Sequence, residues 1–184
     1  MFIESVKSTM VVAVLFCIIF PSAYATERVS VAGDTIRGIY MIENLRHGSY
    51  LKSEDMVGSG HASLLLSSGA SSEYHFWQFE YRPDLAYRLR NMNTGKAIQA
   101  ESGKRTGIIP VVLDSIKKSN MSCQFWRFVP TGKDLYRISN IAGDMTLTAV
   151  QKDPNGHIGI FLMPWMNKDE QKWKLVNIRE NSAM

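Results

Sequence analysis

The residues best suited to acid–base catalysis or to metal binding are few and scattered in this sequence. A zinc site usually takes its ligands as close pairs, such as His-x-x-x-His or Cys-x-x-Cys. Neither pair occurs, and the two cysteines, Cys17 and Cys123, lie far apart. The four histidines are His47, His61, His75 and His157. We therefore expect neither a metal site nor a bound cofactor.

Motifs for nucleophilic catalysis or phosphate binding are also missing. Catalysis requires a nucleophile, a base and their orienting groups to converge in one site. The serine, histidine and aspartate residues do not follow the order of a nucleophile elbow. The glycine-rich segment 58–61 is not followed by the Gly-Lys-Ser/Thr of a phosphate-binding loop. The sequence therefore predicts a protein that is not an enzyme.

The overall composition is that of one folded globular domain. The chain has 184 residues, of which 45% are hydrophobic and 21% are charged. This length falls within the usual range of a single domain. The formal net charge is +4, and the lysines and arginines are scattered along the chain. Because a nucleic-acid binder concentrates its positive charge on one face, we expect no nucleic-acid partner.

The N-terminal segment has the layout of a secretory signal. A positive charge precedes an apolar run over residues 10–20, and Ala23 and Ala25 supply the small residues that signal peptidase needs. The apolar run is shorter than the roughly 20 residues of a membrane-spanning helix. We expect residues 1–25 to be removed and residues 26–36 to form an N-terminal extension. The mature protein is then secreted and has no membrane span.

Two features of the mature chain depend on this secretory environment. Cys123 would be its single thiol. It either lies buried and inert beside aromatic core residues or pairs with a partner chain. Asn120, followed by Met and Ser, fits the acceptor pattern for N-glycosylation, which matters only in a eukaryotic host.

Three segments of the chain share one skeleton, which is the most informative feature of the sequence. Each begins with a Tyr-x-Ile/Leu motif and ends with a Trp-x-Phe/Leu motif, and both motifs recur about every 48 residues. The repeated aromatic residues are Tyr40, Tyr87, Tyr136, Trp77, Trp126 and Trp173. We infer three repeats, at about 37–82, 83–131 and 132–178, followed by a C-terminal tail over 179–184.

The repeats are built from β-strands. Their motifs alternate apolar and polar residues with the period of a half-buried strand. Gly48, Gly95 and Gly143 lie between the first two strands of their repeats, where a tight turn often needs positive φ. No segment of the mature chain keeps a helical period beyond a turn or two. The sequence predicts an all-β protein of about twelve short strands.

The repeats also predict how these strands pack. One repeat cannot bury its own apolar face, whereas three repeats around an axis can. We expect the tryptophans Trp77, Trp126 and Trp173 to form the structural core together with Leu51, Ile98 and Leu147. This arrangement is a β-trefoil with pseudo-threefold symmetry. A three-bladed propeller is the alternative, and it is less favoured because propellers usually have four or more blades.

Each repeat ends in a similar tripeptide. The three are Gln124-Phe125-Trp126, Gln171-Lys172-Trp173 and the degenerate His75-Phe76-Trp77. They resemble the Gln-x-Trp signature that ends each repeat of ricin B-type β-trefoil lectins, and the resemblance extends over residues 37–178. It implies shallow sugar pockets, one per repeat, in which an aromatic ring stacks on the sugar, a carboxylate accepts hydroxyl hydrogen bonds and an amide completes the contacts.

The binding residues that the resemblance implies are only partly matched. Neither an acid nor an aromatic ring occupies the expected positions. The carboxylate position falls at Lys52, Gln99 and Thr148, and the stacking position falls near Leu66, Leu113 and Met163.

Neighbouring residues could replace the missing groups in the second and third repeats. Trp165 either supplies the missing ring of the third repeat or closes the barrel. Asp153 either contacts the sugar or shapes its Asp-Pro-Asn-Gly turn. The recurring Asn44, Asn91 and Asn140 and the signature glutamines are expected to be structural. The candidate carbohydrate-binding residues are Gln99, Asp114, Asn120, Asp153, Trp165, Asn167 and Asp169.

The resemblance implies a secreted, non-catalytic carbohydrate-binding module. Its expected partner is a glycan or glycoconjugate, bound in shallow pockets of the second and third repeats. Two alternatives stay open. The chain could be the cell-binding or delivery subunit of a secreted toxin and contact a catalytic subunit or a cell-surface glycoprotein. It could also be a trefoil protease inhibitor, which the Gln-x-Trp signature argues against.

Overall fold

A computed structural model of the chain describes residues 35–55, 62–69, 72–101, 107–117, 122–151 and 158–178. The predicted signal sequence and tail, Asn120 and Asp153 lie outside the described residues. The strands are β1 (Gly38–Asn44), β2 (Ser49–Asp55), β3 (Ala62–Ser67), β4 (Trp77–Arg82), β5 (Ala86–Asn91), β6 (Ala97–Ala100), β7 (Ile109–Asp114), β8 (Trp126–Gly132), β9 (Leu135–Asn140), β10 (Thr146–Gln151), β11 (Ile158–Met163) and β12 (Lys172–Asn177). Short 3₁₀ turns at Glu73–His75, Ser122–Gln124 and Asp169–Gln171 precede β4, β8 and β12.

The strand pairing closes a barrel and covers it with three hairpins. Antiparallel pairs join β1, β4, β5, β8, β9 and β12 into a ring, because β12 pairs again with β1. Each remaining pair, β2–β3, β6–β7 and β10–β11, forms a hairpin. The three hairpins also pair with one another through β3, β7 and β11. The described chain is thus an all-β, twelve-stranded β-trefoil, which confirms the predicted fold.

The three repeat tryptophans occupy equivalent places in one core. Trp77, Trp126 and Trp173 are all 0% exposed and belong to a single cluster of buried apolar side chains. The same cluster contains Leu51, Ile98 and Leu147, as the repeat pattern predicts. Each indole Nε1 donates to the main-chain carbonyl of its own repeat's leucine or isoleucine, at 3.0, 3.1 and 2.9 Å. The indole N–H groups are therefore satisfied inside an apolar core, where an unpaired donor would be costly.

A buried asparagine at the end of each repeat's first strand holds the 3₁₀ turn of the preceding repeat. In every case the Nδ2 atom donates to main-chain carbonyls of the turn. The pairs are Asn91 with Glu73–His75, Asn140 with Ser122–Gln124, and Asn44 with Asp169–Gln171. The last pair joins the first repeat to the third, and it brings the β1–β2 turn against the 3₁₀ turn at Asp169–Gln171.

The turn between the first two strands differs in the third repeat. Gly48 and Gly95 have φ values of +56° and +66°, as their glycine positions predict. In the third repeat the positive φ falls on Asp144 (+50°), not on the predicted Gly143. Aspartate tolerates this region better than most side chains. Arg137 Nη2 supports the turn by donating to the carboxylate and the carbonyl of Asp144, at 2.8 and 2.9 Å.

Candidate functional site

In the third repeat, the signature glutamine forms hydrogen bonds with the loop that follows β11. Gln171 is fully buried at the end of a 3₁₀ turn. Its Oε1 accepts from the main-chain nitrogen of Met166 at 2.7 Å, and its Nε2 donates to the carbonyl of Pro164 at 2.8 Å. Nε2 also donates to Oγ1 of Thr148 on β10, at 3.2 Å. One side chain thereby ties this loop to the second strand of its repeat, and we call this set of contacts the glutamine clamp.

The second repeat has the same clamp at equivalent positions. Oε1 of Gln124 accepts from the main-chain nitrogen of Lys117 at 3.2 Å. Its Nε2 donates to the carbonyl of Ser115 at 2.8 Å and to Oε1 of Gln99 at 2.9 Å. Both signature glutamines therefore have the structural role that the repeat pattern predicts. Their recurrence alone does not mark a ligand contact.

The third-repeat clamp lies at a cleft of about 600 Å³. Thr148 of β10 and Met163 of β11 line it from the hairpin, and Met166 lines it from the clamped loop. Its other wall includes Arg46, from the β1–β2 turn of the first repeat. The cleft includes Thr148, the carboxylate position that the resemblance implies, and it uses residues of two repeats. Arg46 was not among the candidates, and in the sequence only the recurrence of Asn44 points to this contact.

Three predicted residues of the third repeat lie beside this cleft without lining it. Trp165 is half-buried, and its ring centre lies 5.4 Å from the guanidinium carbon of Arg137. Asn167 is exposed and has φ +56°, a region that asparagine tolerates well. Asp169 accepts from Lys172 Nζ at 3.0 Å. Trp165 and Asp169 thus contact other side chains of the protein, and the sugar-binding role of all three residues stays a prediction.

Gln99 and Asp114 come together in the second repeat. The carboxylate of Asp114 lies 3.0 Å from Lys117 Nζ and accepts from the main-chain nitrogen of Ser115 at 2.7 Å. The Lys117 ammonium is the main cause that holds the pKa of Asp114 below its usual range, and the bond from Gln99 adds to it. Asp114 is therefore ionised at neutral pH, and its charge is offset by Lys117.

The strand register corrects the predicted stacking positions. Leu66 lies opposite Leu51, Leu113 opposite Ile98, and Leu162 opposite Leu147. The residue equivalent to Leu66 and Leu113 is therefore Leu162, not Met163. Met163 is instead equivalent to Ser67 and Asp114, one position further along the strand. Because side chains alternate between the two faces of a strand, this shift puts Leu162 in the core and Met163 in the cleft.

The first repeat lacks the glutamine clamp. His75 occupies the glutamine position and is 4% exposed, with Nδ1 3.2 Å from Oγ of Ser72. Its Nε2 is buried without a hydrogen-bond partner. Burial lowers the pKa of His75, hydrogen bonding to Ser72 opposes this, and the charge of Lys52 lowers the pKa further. His75 is therefore a neutral residue at the position of the clamp glutamine.

We predict that His75→Gln makes the protein less sensitive to mild acid. The folded-state pKa of His75 lies below the unfolded value of about 6.5. Above that pH, His75 is neutral and its burial does not lower the free energy of unfolding. As the pH falls through the folded-state pKa of His75, the free energy of unfolding decreases. Urea unfolding at pH 7 and pH 5 should give a smaller loss for His75→Gln than for the wild type. Equal losses in the two proteins would contradict this role for His75.

Cys123 is half-buried and free, and burial raises the pKa of its thiol. A raised thiol pKa leaves less thiolate for exchange, which agrees with an inert cysteine. In the part of the chain that the structure describes, no three His, Cys, Asp or Glu residues are grouped as metal ligands. No helix among those residues is long and apolar enough to cross a membrane.

Comparison with known proteins supports the fold. No protein-family model and no curated protein sequence matches the chain. Among solved structures, a designed threefold symmetric protein, ThreeFoil, is similar with a TM-score of 0.69 and 21% identity, over 76% of this chain and 99% of that one. These values show a shared β-trefoil architecture.

Two similar structures belong to larger natural proteins. A mosquitocidal holotoxin matches with a TM-score of 0.68 and 14% identity, over 78% of this chain and 18% of that one. The Polyporus squamosus lectin, solved with the epitope Neu5Acα2-6Galβ1-4GlcNAc, matches with a TM-score of 0.62 and 15% identity, over 77% and 49%. The chain thus spans under a fifth of the toxin and about half of the lectin. At these identities the likeness is one of fold.

Proposed function

We propose that this protein is a secreted, non-catalytic lectin-like module that binds a glycan in the third-repeat cleft. The cleft itself is the observation that carries the proposal. It is open to solvent, it has polar and apolar lining, and its loop is fixed in advance by Gln171. A site whose loop is already ordered loses less conformational entropy when a ligand binds.

The cleft suits a sugar because it combines flexible apolar contacts with charged groups. Met163 and Met166 can cover the apolar face of a pyranose, since methionine adapts to irregular surfaces. Arg46, Lys168 and Glu170 provide hydrogen-bonding groups around them. A shallow site of this kind binds one sugar weakly, and multivalent display raises its avidity. In the second repeat, Gln99 and Asp114 are the candidates for an additional contact.

The delivery subunit of a toxin is the second candidate function. The large exposed hydrophobic residues include Leu45 and Met166, which are 43% and 45% exposed. Leu45 precedes Arg46, and Met166 lines the cleft. Exposed apolar residues beside a polar rim are typical of protein interfaces. The similar holotoxin trefoil makes this function worth testing, by co-purification from the native secretome.

We predict that filling the third-repeat cleft abolishes glycan binding. Val150 lines the cleft and is half-buried, so Val150→Trp should occupy the space without disturbing the core. The matched control is Glu54→Trp, at the equivalent exposed position of the first repeat. On a glycan array, the wild type and Glu54→Trp should bind the same glycans and Val150→Trp should bind none. A wild type that binds no glycan class would overturn the proposed function.

The same array tests Trp165. If Trp165 only packs against Arg137, then Trp165→Ala keeps the wild-type glycan signals. A selective loss of binding in Trp165→Ala would assign the ring to the ligand, as the sequence predicts. Thermal melting of each variant checks that it is folded.

A further inference from the structure

The charges around the third-repeat cleft are unbalanced. The described residues that line the cleft include two basic side chains, Arg46 and Lys168, and one acid, Glu170. Nε of Arg46 lies 3.8 Å from the Glu170 carboxylate, at the limit of an ion pair, and the Arg46 side chain is 64% exposed. Lys168 forms no ion pair with any residue in the described ranges. Positive charge is therefore available at the rim of the cleft.

The polar side chains of Thr148 and Gln171 line the cleft, but they are only 4% and 0% exposed and already hydrogen-bond within the protein. Oγ1 of Thr148 donates to the Thr146 carbonyl at 2.9 Å and accepts from Gln171 at 3.2 Å. Both amide hydrogens of Gln171 are used by the clamp, and its Oε1 accepts from the Met166 nitrogen. A carboxylate at this position could accept two strong hydrogen bonds from adjacent hydroxyls, and threonine cannot replace it. The buried side chains of the cleft therefore contribute shape and apolar contact, while the exposed Arg46 and Lys168 contribute charge.

Two charges of the second repeat are paired with each other, unlike that of Lys168 beside the third-repeat cleft. There an acid is present, but Lys117 Nζ lies 3.0 Å from the Asp114 carboxylate. The two charges are paired with each other at the surface, so the charge of Asp114 is already offset before any ligand binds. In the third repeat, Met163 stands at the position equivalent to Asp114, and Lys168 forms no ion pair with an acid of the described chain.

We propose that the third-repeat cleft recognises acidic glycans, which carry a carboxylate or a sulfate group, in preference to neutral ones. This inference rests on the proposed function, because it specifies the ligand of the same cleft. The Arg46 guanidinium suits the geometry of either anion and Lys168 adds a point charge. Met163 and Met166 contact the apolar part of the sugar.

Matched pairs of soluble glycans test the charge preference by isothermal titration calorimetry. Sialyllactose is compared with lactose, glucuronic acid with glucose, and sulfated galactose with galactose. We expect each acidic member to bind about tenfold more tightly than its neutral counterpart, as one additional charge-assisted hydrogen bond predicts. This preference should shrink between 0.1 M and 1 M salt, because exposed charges are screened. The carboxylated and sulfated pairs together identify which anion is preferred.

Charge reversal tests the two residues. Arg46→Glu and Lys168→Glu should each remove the preference for acidic glycans. Arg127→Glu is the matched control, since Arg127 is an exposed cation of β8 that does not line the cleft, and it should keep the preference.

The possible results separate this inference from the proposed function. Equal binding of acidic and neutral glycans that is lost in Val150→Trp would overturn the charge preference and keep the glycan site. Acidic binding that survives both charge reversals would also overturn it. The absence of binding to every glycan would overturn both proposals.

Discussion

Trp126→Ala is expected to lower the free energy of unfolding by about 3 to 5 kcal/mol, the usual cost of removing a large buried aromatic side chain. Trp126 is fully buried in the shared core, and its Nε1 donates to the Ile98 carbonyl at 3.1 Å. Alanine leaves a cavity and removes this hydrogen bond to the Ile98 carbonyl. Because a domain is stable by only about 5 to 15 kcal/mol, this single change removes a large part of the total.

Urea unfolding followed by circular dichroism measures this loss. Trp165→Ala is the matched control, because it removes the same side chain from a half-buried position outside the core cluster. We expect it to cost less than half as much as Trp126→Ala. If Trp126→Ala does not fold, Trp126→Phe keeps most of the ring and still loses the bond to Ile98. Losses of equal size at Trp126 and Trp165 would contradict the threefold core.

Gln171→Ala is expected to abolish glycan binding at the third-repeat cleft and to lower the free energy of unfolding by about 1 to 3 kcal/mol. The substitution removes three hydrogen bonds and leaves the Met166 nitrogen and the Pro164 carbonyl without this partner. The loop that lines the cleft then loses its attachment to β10. Calorimetric titration with the best glycan on the array measures binding, and urea unfolding measures stability.

Gln124→Ala is the control for this effect. It breaks the equivalent clamp of the second repeat and should cost a similar amount of stability. It leaves the third-repeat cleft intact, so glycan binding should be retained. A loss of binding in both variants would mean that general destabilisation, and not the loop beside the cleft, controls recognition.

The sequence predicts the fold well because the residues that recur in every repeat are core residues. Trp77, Trp126 and Trp173 recur at a nearly constant interval, and a shared core needs equivalent residues from each third of the chain. The turns are less predictable, since several residue types accept positive φ. For this reason Asp144, and not Gly143, has the positive φ in the third repeat.

The candidate site is harder to predict because it depends on register and on loop paths. A shift of one residue separates Leu162 in the core from Met163 in the cleft, and the motif alone does not fix that shift. The path of the loop after β11 turns Trp165 towards Arg137. Arg46 is distant in sequence and reaches the cleft only because the barrel closes. Asn120 and Asp153 lie outside the described residues, so their binding roles stay predictions.

The most direct test of a glycan site in the third repeat is a titration of ¹⁵N-labelled protein with sialyllactose, followed by amide chemical shifts. We predict that the perturbed amides cluster in β10, in the loop from Pro164 to Gln171 and in the turn around Arg46. Shifts confined to another face of the trefoil, or no shifts at millimolar glycan, would contradict it.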